Sequence, residues 1–235
     1  MSRPATAARL PRASRCAWAL AGALALAGCT SAPPAPDWQL NAHGALDRAV
    51  AAYLAGDTRV ADAEFEQARR ELSRTGRADL LARAALLRCA AQVASLALSA
   101  CTAFEPYRAD AAAAERAYAA YLAGQASVAD LALLPPAQQT VAAAGASTDA
   151  ALAAITDPVA RLVAAGVLLQ TGRASPATIT LAVDTASAQG WRRPLLAWLG
   201  LQARRADAAG AADEAARLRR RIAWVQGAAG SLAAP

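Results

Sequence analysis

Ala51-Ala52-Tyr53-Leu54-Ala55-Gly56, continuing through Val60-Ala61-Asp62, recurs as Ala119-Ala120-Tyr121-Leu122-Ala123-Gly124 through Val128-Ala129-Asp130. In a chain this rich in alanine the alanine matches carry little weight. Tyrosine, leucine, glycine, valine and aspartate also match in register, and the 235-residue chain has only 4 tyrosines. Each copy reads as a helix ending at glycine, a residue that tolerates the left-handed backbone of a helix C-terminus, and then a second helix. Around this pair the chain consists largely of Ala, Leu, Arg, Asp and Glu, with little of the aromatic and β-branched alternation that marks strands. The pattern predicts an all-α protein.

The offset between the copies, from residue 51 to residue 119, is 68 residues, twice a 34-residue helix–turn–helix period. After Gly56-Asp57 the first copy places Ala61, Phe65 and Ala68 on one helical face. Small residues there let two helices approach closely while the aromatic ring fills the gap. This resembles the tetratricopeptide repeat. The resemblance implies irregular, tetratricopeptide-like antiparallel helix hairpins forming a superhelical array over residues 41–226. It weakens along the chain. The unit around Ala90 lacks the glycine, Pro136 stands where a small helical residue belongs, and Arg219 stands where a large apolar one does.

Helix punctuation locates the elements. Asp157-Pro158 and Ser175-Pro176 each read as a capping side chain followed by proline at the first helical position. Helices are expected over about 42–55, 58–74, 77–94, 109–123, 126–134, 137–145, 158–171, 176–189, 193–208 and 211–225, with a weaker signal over 148–155. Residues 96–108 read as an irregular loop, and 227–235 as a flexible tail.

The first 28 residues carry a different message. Arg3, Arg9, Arg12 and Arg15 precede a short apolar run that closes on Leu26-Ala27-Gly28-Cys29. That is a charged region, a hydrophobic region and a small-residue cleavage site. The run is too short for a membrane span, which needs roughly 20 apolar residues. The segment resembles a bacterial lipobox, which implies a lipoprotein signal over 1–28 and acylation (palmitate among the chains) of Cys29. Thr30 in place of aspartate implies, by the same resemblance, an outer-membrane anchor facing the periplasm. Residues 29–40 read as a Pro-rich tether.

The signal distorts the charge. Four of the 24 basic residues lie in it, leaving 20 against 18 acidic ones, a balance of +2. That gives no support to a nucleic-acid partner. Cys16 leaves with the signal and Cys29 takes lipid, so Cys89 and Cys101 remain. Pairing is the simplest fate for two cysteines in an oxidising compartment. On one continuous helix they would be about 18 Å apart, so pairing requires the chain to turn back near residues 95–99. Reduced thiols are a second reading. A metal site is a third, and a poor one without nearby histidines.

Catalytic signals are sparse. The single histidine, His43, has no evident partner, and no nucleophile elbow, phosphate loop or metal-protease motif occurs. No cofactor is indicated and no enzyme is expected; the alternatives are a cell-wall glycan-acting envelope enzyme or accessory domain, with a carboxylate pair, and a purely structural lipoprotein. The acidic run Asp57, Asp62, Glu64, Glu66 and Glu71 is interleaved with arginines, the pattern of a solvated helix face.

By the tetratricopeptide resemblance, Val50, Tyr53, Tyr118, Tyr121 and Arg204 would line a concave peptide-binding groove. Packing between helices is the plainer role for the tyrosines. Trp191, Leu195, Trp198 and Trp224 read as core, and Asp213 as the i,i+4 partner of Arg217. The arginine-rich C-terminal third would suit an acidic peptide, an anionic glycan or lipid headgroups. The resemblances together imply an adaptor or scaffold in envelope assembly, of the kind that serves pilus secretins, outer-membrane assembly or peptidoglycan enzymes.

Overall fold

The computed structural model describes residues 35–227. The signal, Cys29, most of the tether and the tail from residue 228 lie outside that range. The described chain forms helices α1 (Asp37–Ala55), α2 (Thr58–Ser73), α3 (Ala78–Ala94), α4 (Ala113–Leu122), α5 (Val128–Leu131), α6 (Pro136–Ala143), α7 (Thr148–Ala154), α8 (Pro158–Gln170), α9 (Pro176–Ala188), α10 (Arg192–Ala208) and α11 (Ala212–Gln226). Two 3-10 segments, Thr102–Tyr107 and Gly145–Ser147, complete it. Among the described residues there is no strand. The fold is an all-α helical array.

The local rules explain most helix ends. Gly56 and Gly124, the two glycines of the recurring stretch, sit at φ +101° and +69°, where a side chain would be strained. The Asp157 carboxylate accepts from the Ala160 amide, and the Ser175 hydroxyl from the Thr178 amide at 3.0 Å, each before a proline at the helix start. Asp37–Leu40 are helical, which corrects the tether to end before Asp37. An acidic residue in a helix's first turn suits the positive end of its dipole.

The α1–α2 hairpin follows the expected stripe, with Ala61, Phe65 and Ala68 buried. The second copy does not sustain it. Its second helix, expected over 126–134, is the single turn α5, because the carbonyl-to-amide ladder ends as Pro135-Pro136 approaches.

The residues 96–108 contain the 3-10 segment rather than irregular chain alone. Past α3 the chain reverses at Leu96, whose φ of +58° is left-handed, with the Ala97 amide bonded back to the Gln92 carbonyl. The reversal brings Cys101 to Cys89, and the two form a disulfide with Cα atoms 5.6 Å apart. Phe104, fully buried, plugs the 3-10 segment onto α3.

A linear solenoid buries each unit only against its neighbours. Here α8 also packs on α3, and α10 on α1. Gly166 on α8 makes the first contact possible, since a Cβ there would lie 2.5 Å from the Val93 carbonyl oxygen. Trp198 on α10 is fully buried, and its indole N–H donates to the Ala94 carbonyl at 3.1 Å, across 104 residues of sequence.

Candidate functional site

The break in the second repeat copy opens the most promising concavity. With α5 cut to one turn, Leu133, Leu134 and Pro135 form a short turn facing α3 and α4. Leu86, Leu87 and Ala90 of α3 form its floor, and Ala114, Glu115 and Tyr118 of α4 form its wall, enclosing about 410 Å³. That volume lies in the range of small-ligand or side-chain pockets. Leu133 at its rim is 44% exposed.

One polar pair sits in this apolar surface. The Arg83 guanidinium donates from Nε to Glu115 Oε1 at 2.8 Å. Arg83 is largely exposed, whereas Glu115 is buried. Glu115 Oε2 has no hydrogen-bond partner, although it too is buried. A buried carboxylate oxygen without a donor is costly. A ligand or partner segment carrying an N–H or O–H could satisfy it if the rim relaxes.

Tyr118, half-buried at the pocket wall, stacks on Tyr121 with ring centroids 6.1 Å apart. Burial pushes the Tyr118 phenol up to about 12, and pushes that of Tyr121 up as well. Both stay neutral and able to donate at any physiological pH. Tyr121 lines a separate, smaller cavity of about 130 Å³ with Val141, Val167 and Arg173.

The five residues expected to share one groove are distributed differently. Tyr121 is only 4% exposed, a correction to its placement on a groove, because α8 covers that face of α4. Val50 and Tyr53 are half-buried on α1. The Arg193 guanidinium lies 4.2 Å over the Tyr53 ring, and donates to the Tyr53 carbonyl at 2.6 Å and to Thr58 Oγ1 at 2.7 Å. Burial raises the Tyr53 phenol, against the opposing charge of Arg193. Arg204 is exposed on α10. Of the five, the structure stacks Tyr118 on Tyr121, and Val50 and Tyr53 share α1.

Other expectations resolve into local structure. Asp57 caps α2, while Asp62, Glu64 and Glu66 pair with Arg88, Arg48 and Arg69. Glu71 is more buried than a solvated face predicts, and bonds Gln67 and Arg74. His43 is exposed beside Asp47. Arg217 pairs with Glu214, one residue off the expected Asp213, because i,i+3 neighbours also meet on a helix. Trp191 is half-buried and Trp198 lies in the core, but Trp224 is 62% exposed, a correction to its expected burial. Among the described residues no group of three His, Cys, Asp or Glu side chains could hold a metal ion. None of the described helices is long and apolar enough to cross a membrane.

Sequence reasoning missed the pocket. Its one advance signal was Leu133-Leu134 directly before Pro135-Pro136, two bulky apolar residues at a forced helix stop. No known protein family, curated protein or solved structure shows a significant match to the chain.

Proposed function

We propose that this chain is a lipid-anchored envelope adaptor that binds a protein partner by taking one of its apolar side chains into the α3–α4 pocket. The pocket with its exposed Leu133 and its donor-seeking Glu115 oxygen is the observation that supports this reading. Apolar area supplies most of the affinity, at about 25 cal/mol per Å² buried. The carboxylate selects a segment whose backbone N–H or polar side chain lies beside the inserted residue. Cys29 acylation fixes the location, and the Pro-rich stretch gives reach. The tetratricopeptide-like resemblance of the α1–α2 hairpin supports the adaptor class. The partner belongs to an envelope assembly process such as secretin, outer-membrane or peptidoglycan-enzyme assembly.

The test is site-specific photo-crosslinking in cells, with the probe at Leu133 or Leu87 and a control probe at exposed Arg74. The reading expects one envelope protein captured at the first two positions and absent at the third. Leu133→Arg, with the probe at Leu87, should abolish the adduct while leaving circular dichroism unchanged. Equal capture at all three positions, or capture indifferent to Leu133→Arg, rejects it.

A further inference from the structure

The segment from Trp191 to Gly227, which contains α10 and α11, has eight arginines against Asp207, Asp213 and Glu214, a balance of +5. From Asp37 to Gly190 the chain has twelve arginines against fifteen acidic residues, a balance of −3. The charge of the folded part is therefore concentrated in its last hairpin. Arg217 and Arg219 are held by Glu214 and Asp207. Among the described residues Arg204, Arg205, Arg220 and Arg221 pair with no carboxylate.

α11 packs on α10 through Ala215 and Leu218, with Ile222 and Val225 partly buried against the core. At 100° per residue the opposite side of the helix carries Arg217, Arg220 and Trp224 in one stripe. All three are exposed, and the tryptophan is the most exposed aromatic among the described residues. A stable core explains neither the exposed indole nor the unpaired guanidinium beside it. The stripe lies on the side of α11 away from Ala215 and Leu218, which pack on α10.

We infer that this stripe is a docking face for a bilayer bearing anionic phospholipid headgroups. An indole settles at the headgroup level, its apolar ring inward and its N–H toward water. Arginine stems lie along the apolar boundary while their guanidinium groups pair with lipid phosphates. The surface thus has the composition of an interfacial helix on a folded scaffold. It orients the adaptor on its membrane without requiring the acyl anchor, so it stands or falls separately from the pocket.

Trp224 supplies its own reporter. The full chain is mixed with vesicles of zwitterionic phosphatidylcholine, with or without phosphatidylglycerol, whose acyl chains are brominated to quench nearby indoles. Subtracting the emission of Trp224→Phe isolates Trp224 from the other tryptophans. Quenching of Trp224 is expected on anionic vesicles only, fading at about 0.5 M NaCl as charges are screened. Arg217→Gln with Arg220→Gln should weaken it about fivefold or more. The same result is expected in a Cys29→Ser background, which separates this face from acylation. Trp224 left unquenched on anionic vesicles overturns the inference, as does quenching indifferent to lipid charge and to the two arginines. Protection of Trp224 by an acidic peptide alone would also overturn it and assign the face to a protein.

Discussion

Tyr118 and Tyr121 show how one side chain can serve both packing and exposure. Their rings stack, yet one closes the core while the other lines the open pocket. Burial strips water from both phenols and outweighs the opposing charge of Arg173 near Tyr121, so both pKa values are held above 10, that of Tyr118 at about 12. A pKa raised in the folded state contributes stability that is fully present below the unfolded value. It is lost as pH rises through the folded value. The window for Tyr118 therefore runs from about pH 10 to about pH 12, and a shift of two units is worth about 2–3 kcal/mol. The expected outcome is alkaline unfolding in which these phenols titrate together with loss of helix, followed by absorbance at 295 nm and circular dichroism. Tyr118→Phe should reduce the fall in stability across that window. Ionisation of every tyrosine near pH 10 with the helices intact would contradict the buried placement.

Among the elements, the Cys89–Cys101 crosslink does work that the short helices around it cannot. It ties the end of α3 to the 3-10 segment, and so holds Phe104 in the core just before α4 and its pocket wall begin. A loop this short is worth about 3 kcal/mol on a chain-entropy basis. For a domain of this size that corresponds to a fall in Tm of about 6–12 °C. Cys101→Ala, or reduction by dithiothreitol, should produce such a fall in a thermal melt monitored by circular dichroism. An unchanged Tm would mean the bridge is dispensable. The need for a chain reversal was legible in the cysteine spacing, and the ends of α8 and α9 in Asp157-Pro158 and Ser175-Pro176. Cap chemistry acts within four residues, so it shows in the sequence. The truncation of α5 was only partly visible: Pro135-Pro136 forces a stop by residue 134, but nothing in Val128 to Leu134 says that the helix already ends at Leu131. Beyond Leu133-Leu134 ahead of the two prolines the pocket left no trace in the sequence, because its floor and wall come from separate helices and its key oxygen is defined by what it lacks.

For the whole molecule the decisive fact is that the last hairpin returns to the first. The other long-range contact, α8 on α3, is nearly featureless in sequence: Ala164, Ala165 and Gly166 are buried on α8, and nothing in their spacing names α3 as the neighbour. The Arg193 clamp is more specific. Its guanidinium binds the Tyr53 carbonyl at the end of α1 and the Thr58 hydroxyl at the start of α2, and covers the Tyr53 ring. Two hydrogen bonds at about 1 kcal/mol each and a half-exposed cation–π contact at about 0.5–1 kcal/mol set the scale. Arg193→Ala should therefore cost about 2.5–3 kcal/mol. The informative readout is where the loss appears. In a stack of nearest neighbours, loosening α10 would leave α1 untouched, because stability passes only between adjacent units. With α10 seated on α1, native-state hydrogen exchange should accelerate in α1 and at the α1–α2 turn as well as in α10. Faster exchange confined to α10 and α11 would instead mean that the two ends of the chain open independently. The packing of α10 on α9 and the Trp198–Ala94 bond would then hold α10 to the array without help from α1.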